Sequence, residues 1–305
     1  MFPNLFFIGG MRCGSTTINL LLAQHPEIFM SPIKEPYFFI AEYMRRQQAL
    51  GEVSAEDVRA YERQGCYRTV EAYAGLFHDV TDEVWIGESS HYLYAPDVCP
   101  VIQSMSRDAK IIVSFRDPTQ RLVSEYGRLV RNGTLHGELA DFAFQDAVVK
   151  NGRIVSIGKT SKLVRGLQAA RIDPWLQTFG SDRVKCILFE DLSDRPFELA
   201  RELYAWLGVD QSFVPELVHT QKGGHARRPG LLTVMNKTGK WSQPIKRMVP
   251  RMLKEKIRAS IYDRAVVSPV LTSEVEAALR TFYADDIVRL QELTGKDLSH
   301  WLGDC

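Results

Sequence analysis

Short apolar runs, each ending in glycine or a polar cluster, recur along the chain: Leu5 to Ile8, Ile28 to Met30, Val84 to Ile86, Ala109 to Phe115 and Val184 to Phe189. Runs this short, bounded by turn residues, predict buried strands. Between them apolar positions fall at helical spacing, first at Ile18, Leu21 and Leu22. Two or three polar helices are expected over 40–80, another over 96–105, and one opening at Asp117-Pro118. Further helices are expected over 138–150, 163–180 and 196–207, the last stopped by Gly208. A long closing helix starts at Ser273, with Glu276 in capping-box position, and runs to about Leu293. Strands alternating with helices predict an α/β fold, a central parallel sheet flanked by helices. No repeat, low-complexity tract or linker interrupts the pattern, so one domain over residues 1–305 is expected.

The first strand leads into Gly9 to Thr17, a loop of small residues and hydroxyls, and then into a helix. A strand, a small-residue loop and a helix N-terminus in that order form an anion cradle. Bare backbone N–H groups and the positive end of the helix dipole face the ligand, and Ser15, Thr16 and Thr17 can add hydroxyls. Gly9 to Thr16, G-G-M-R-C-G-S-T, nearly spells the nucleotide-triphosphate loop G-x-x-x-x-G-K-[ST]. Ser15 stands where that loop has its lysine, and the cation is Arg12, three residues earlier. The loop suits a phosphate-like anion, yet the usual triphosphate machinery is incomplete.

Composition narrows the picture modestly. A chain of 305 residues buries about three-quarters of its unfolded surface and needs no metal or disulfide staple. Its five cysteines are dispersed without ligand-like spacing, which argues for a reducing compartment and against structural zinc. The net charge of +1 gives no overall pull toward nucleic acid, and none is expected as a partner. No apolar run approaches eighteen residues, so a cytoplasmic protein without a transmembrane segment is the expectation.

Several other stretches carry candidate chemistry. In S-P-I-K-E-P-Y-F-F, two prolines bracket Lys34-Glu35 and aromatics follow. Aromatic neighbours would desolvate Glu35 and raise its pKa, as a general base near neutrality requires. A strand ending in Gly87-Glu88-Ser89-Ser90-His91 makes Glu88, Ser89 and His91 candidates to face a substrate, since ligands bind at the carboxyl ends of parallel strands. Arg116 closes another strand and Ser124 lies two turns into the following helix; together they could hold a second phosphate. Residues 222–230 form a basic, glycine-rich loop. Residues 237–258 hold eight Lys/Arg against one Glu, with apolar residues on one helical face, which fits either core packing or contact with an acidic surface.

Taken together these segments resemble the sulfotransferase family that uses 3′-phosphoadenosine 5′-phosphosulfate (PAPS). FIGGMRCGSTTINLLLAQHP resembles its 5′-phosphosulfate loop, and SFRDPTQRLVSEY fits its 3′-phosphate motif, RDPxxRxxSxY, at every fixed position. EPYFF, the FEDL strand end, the KGG loop and the closing L-x-x-x-T-G-K-D-L-x-x-W extend the likeness over nearly the whole chain, nearest to the carbohydrate and tyrosylprotein branch. The resemblance implies Glu35 as base, with His91 as a rival because the aryl branch uses a histidine at a comparable strand end. It implies Arg12, Cys13, Gly14, Ser15, Thr16 and Thr17 at the phosphosulfate and Arg116 and Ser124 at the 3′-phosphate. Lys222, Gly223, Arg227 and Arg228 would belong to a loop closing over the nucleotide. PAPS would be the co-substrate and 3′-phosphoadenosine 5′-phosphate (PAP) the product, without a metal. The acceptor would be a hydroxyl or amine of a glycan or small molecule. Ser89 departs from the heparan-type enzymes, which carry lysine there. A P-loop kinase and a binding protein without turnover are the alternatives.

Overall fold

A computed structural model of the chain describes residues 2–62, 67–132, 134–135, 137–158, 161–216, 225–226, 266–267 and 271–303. They fall into two compact units, each drawn from several stretches of sequence. The first comprises residues 1–117, 167–220 and 285–300, and the second 118–166, 221–284 and 301–305.

The first unit is built on a five-stranded, wholly parallel sheet in the order β2-β3-β1-β4-β7. Its strands are β1 (Leu5–Phe7), β2 (Ile28–Met30), β3 (Trp85–Ser89), β4 (Lys110–Phe115) and β7 (Val184–Leu188). Leu5 to Phe7 and Ile111 to Phe115 are buried throughout, which explains their unbroken apolar runs. In sequence β1 comes first but in space it lies centrally, between β3 and β4. The chain thus leaves β1 toward one edge and returns to the other, and the carboxyl ends of these strands line a crevice at the switch point.

Helix α1 (Ser15–Ala23) follows β1 and buries Ile18, Leu21 and Leu22 against Leu199, Leu203 and Tyr204 of helix α10 (Pro196–Leu207). Helix α2 (Phe38–Ala49) brings Phe38 and Phe39 into an aromatic cluster with Tyr73, Tyr92 and Phe6. Phe38 stacks on Tyr73 at a centroid distance of 4.2 Å, and Phe39 meets Tyr92 edge-on at 5.9 Å. Gly208 ends α10 in the left-handed conformation, as its position predicts.

The second unit begins with helix α6 (Pro118–Arg131). Arg121 is fully buried there and pairs with Glu125 at 2.8 Å, whose other oxygen takes Arg165 at 2.8 Å. The expected helix over 138–150 is a correction. Helix α7 (Leu139–Phe144) ends early, and an antiparallel hairpin, β5 (Ala147–Lys150) with β6 (Arg153–Ile157), follows it. Asn151-Gly152 at its tip holds φ of 49° and 71°, the positive pair that a type I′ turn requires. The hairpin signal was therefore present in the sequence, between two β-branched runs.

Gly14 is the glycine on which the first unit's loop turns. It caps α1 with φ of 81°, and a Cβ there would run into the side chain of Leu192. Gly14→Ala is expected to destabilise the protein by about 1–2 kcal/mol from the left-handed backbone alone, read as a lower urea midpoint at unchanged slope.

Candidate active site

The crevice is assembled from four strand exits of the first unit. The loop after β1 has its backbone fixed from above and below: Gly10 N–H donates to Ser114 O (3.3 Å) and Met11 N–H to the Tyr94 hydroxyl (3.0 Å). Arg12 holds φ of 70°, a left-handed conformation costly for a side-chain-bearing residue, and buried Cys13 lies beneath the loop. A Cβ on Gly9 would meet the Phe7 ring and Ser114, so the chain can bend here only as glycine.

The exit of β3 crosses over β1. Ser90 N–H donates to Phe7 O (3.1 Å) and Leu93 N–H to Ile8 O (3.1 Å), which sets His91 above the loop. The segment after β2 joins from the other side, where Glu35 N–H donates to Ser89 O (2.8 Å) and Tyr37 N–H reaches Ser90 Oγ (3.5 Å). Glu35 and Tyr37 take φ of 62° and 53°. Of the five non-glycine residues with positive φ among the described residues, three are therefore Arg12, Glu35 and Tyr37. Strain of this kind concentrates where side chains must be aimed.

Glu35 is the meeting point. Its Oε1 lies 3.2 Å from His91 Nε2, its Oε2 accepts from the Tyr37 hydroxyl at 2.8 Å, and Lys34 Nζ stands 3.8 Å from Oε1. His91 Nδ1 is 2.8 Å from the carbonyl of Gly9, which can only accept, so Nδ1 carries a hydrogen. The Nε2 contact with Glu35 then requires one proton shared across the pair. Chiefly because His91 donates to it, and further through the Tyr37 hydroxyl and Lys34, the Glu35 carboxyl is lowered to about 2 despite partial burial. The expectation that aromatic surroundings would raise it is thus corrected. Tyr37 supplies a hydroxyl rather than an apolar wall, and the carboxylate lies among donors.

Arg116 lies at the end of β4. Its guanidinium donates to Arg12 O (3.1 Å) and stacks on the Phe189 ring at 4.1 Å. Its main chain is clamped by Gln168, which accepts from Arg116 N–H (3.4 Å) and donates to Arg116 O (3.0 Å). Asp286 in turn accepts from Gln168 N–H at 2.6 Å. Arg12 and Arg116 thus share one corner of the crevice, and sequence reading missed the Gln168–Asp286 support behind them. No motif marks those two residues.

A match to the profile of the Sulfotransferase family covers residues 3–213 of this chain. The chain belongs to the sulfotransferase family. It is 24% identical over 311 residues to the human bifunctional heparan sulfate N-deacetylase/N-sulfotransferase 3, covering 98% of this chain and 31% of that one. It is 23% identical to the mouse heparan sulfate glucosamine 3-O-sulfotransferase 3A1, over 99% of this chain and 65% of that one. The chain thus spans less than a third of the length of the first of these relatives. The fold is shared with a sulfotransferase from Alicyclobacillus acidocaldarius at a TM-score of 0.67 and 24% identity, over 99% of each chain.

The residues expected at the site divide into three groups. Arg12, Cys13, Gly14, Ser15, Thr16, Thr17, Glu35, His91 and Arg116 all lie in the first unit, at or beside the carboxyl ends of its strands. Ser124 lies on α6 in the second unit. Lys222, Gly223, Arg227, Arg228 and the basic 237–258 stretch lie outside the described residues. Among the described residues no helix is long and apolar enough to cross a membrane.

Glu88 and Ser89 were expected to face a substrate, and neither does. Both are buried, and Glu88 is wholly enclosed by the aromatic cluster. The sheet explains this: from Ile86 to Ser89 β3 is covered on both faces, so side chains pointing either way are buried. Burial pushes the Glu88 carboxyl up to about 7. The hydroxyls of Tyr92, Tyr73 and Ser90 oppose the shift, but neither carboxyl oxygen has a partner in hydrogen-bonding geometry. Between the ordinary value of 4.5 and about 7, the folded protein keeps a proton on Glu88 that the unfolded chain releases. Stability therefore falls as pH rises through that window and is level above it. Glu88→Gln should remove this dependence. Its stability relative to the parent is expected to rise between pH 4.5 and 7 by on the order of 3 kcal/mol, checked by denaturant unfolding at both ends of the window.

Proposed function

We propose that this sulfotransferase moves the sulfuryl group of PAPS to a hydroxyl or amine of a carbohydrate or small natural product, with Glu35 as general base. The observation that carries this reading is the convergence of a phosphate-type loop with an ionised carboxylate joined to it through His91. The residues fit the donor. Gly9 and Gly14 leave the loop backbone bare, Ser15 and Thr16 put hydroxyls at the first turn of α1, and Arg116 offers a planar fork suited to a phosphate. The heparan sulfate substrates in the relatives' names favour a sugar acceptor.

PAPS would supply an activated sulfuryl group on a phosphate leaving group. Glu35 takes the proton of the attacking hydroxyl as the new O–S bond forms. His91 is the positioning residue. Its Nδ1–H is anchored on the loop, and its Nε2 sets where the Glu35 carboxylate points. Loop N–H groups and Arg12 stabilise the charge that gathers on the bridging oxygen as the old S–O bond breaks. A carboxylate held at about 2 is a weak base while His91 donates to it. The reaction is therefore expected to lose its base only as pH falls toward about 2.

Glu35→Gln should lower kcat by 10²- to 10⁴-fold, the usual worth of a general base, while PAP affinity by calorimetry is retained. His91→Ala should cost less in kcat and should raise the Glu35 titration from about 2 toward the ordinary carboxylate range, followed by carbon-13 NMR of the carboxyl. A full loss in His91→Ala with an active Glu35→Gln would make His91 the base. PAP should raise the melting temperature more than ATP with magnesium does, and Arg116→Ala should abolish most of that gain. Equal response to the two nucleotides, or to neither, would overturn the PAPS reading.

A further inference from the structure

Ser15 occupies the position of the loop lysine in triphosphate P-loops, so the sequence leaves the first turn of α1 without an ammonium. The fold brings one from elsewhere. Lys34 belongs to the segment after β2, whose path is fixed where Ser31 N–H donates to Gly87 O (2.7 Å) and Ser31 Oγ–H to Ile33 O (2.8 Å). Pro32 and Pro36 bracket it. From there Lys34 Nζ donates to Ser15 Oγ at 2.9 Å and to Thr16 Oγ1 at 3.2 Å.

The same nitrogen lies 3.8 Å from Glu35 Oε1. It therefore stands between the hydroxyls of the anion cradle and the carboxylate that receives the acceptor's proton. Its setting is partly desolvated, and burial lowers the Lys34 pKa against the pull of Glu35. A cation held with weakened hydration gains most from an incoming anion. A sulfuryl group in transit between the cradle and an acceptor beside Glu35 would pass this ammonium.

We propose that Lys34 is the cation that meets the sulfuryl group in transfer, replacing in space the lysine that Ser15 replaces in sequence. The inference rests on the PAPS reading above. In the step itself the S–O bond to the phosphate of PAPS breaks and its electron pair stays on that phosphate oxygen. The acceptor oxygen bonds to sulfur and its proton passes to Glu35. Lys34 keeps its proton throughout and holds the sulfonate oxygens as the group moves. Releasing Ser15 and Thr16 to the phosphate while turning Nζ to the sulfonate needs only a change in the flexible lysine side chain.

PAP lacks the sulfuryl group, so the two nucleotides separate this role from a general one in the loop. PAPS and PAP would each be titrated calorimetrically into the wild type, Lys34→Met and Lys34→Arg, without acceptor. Lys34→Met is expected to weaken PAPS by about tenfold or more and PAP by less than about threefold. Lys34→Arg should recover most of the PAPS affinity. Equal losses for both nucleotides would mean that Lys34 only orders the loop hydroxyls, and no loss would mean that it meets neither; both overturn the inference. Wild-type protein that binds neither nucleotide would instead sink the PAPS reading. If melting shows Lys34→Met to be poorly folded, Lys34→Gln, which keeps a donor for Ser15, carries the same comparison.

Discussion

The candidate site depends on one imidazole. His91 joins the carbonyl of Gly9, at the root of the anion loop, to the carboxylate of Glu35, which comes from a different strand exit. Because a carbonyl cannot donate, the Gly9 contact fixes the tautomer of the ring, and the ring then fixes the carboxylate. Loop and base are thereby held as one piece.

That piece is strained. Arg12, Glu35 and Tyr37 each hold a left-handed backbone, at a cost of about 1–3 kcal/mol apiece. The opposing term lies underneath, in the aromatic packing of Phe38, Phe39, Tyr73 and Tyr92, all buried. Tyr37 makes the transition between the two. Its hydroxyl bonds to Glu35, its ring meets Tyr92, and its backbone opens α2. A rigid aromatic base is what lets three unfavourable conformations persist side by side.

The sheet and the loop were legible in the sequence because both are written locally. Buried parallel strands leave continuous apolar runs, and a loop that other segments approach closely must spell itself in glycine, as Gly9 does under Ser114 and Gly14 beside Leu192. The 138–150 stretch misled because apolar residues at helical spacing outweighed Asn151-Gly152, a turn signal that decides the conformation of its neighbours. Glu88 and Glu35 show the deeper limit. Both are glutamates near strand ends, yet one sits among donors and is lowered to about 2, while the other is sealed among aromatic rings and raised to about 7. Which carboxyl becomes which depends on the partners that the fold delivers from distant segments, and no spacing rule contains that.

Lys34 carries the same lesson one step further. A loop lysine is a sequence feature only because the usual P-loop places it on the loop; the chemistry asks for an ammonium near the first turn of the helix, from whatever segment can reach it. Here the segment between Pro32 and Pro36 reaches it, and the same segment carries Glu35. Adjacent residues on an extended backbone point to opposite sides. The left-handed turn at Glu35 breaks that alternation and lets Lys34 and Glu35 approach to 3.8 Å. The backbone strain at Glu35 thus serves to bring a cation and a carboxylate to one side of the chain, facing the cradle together.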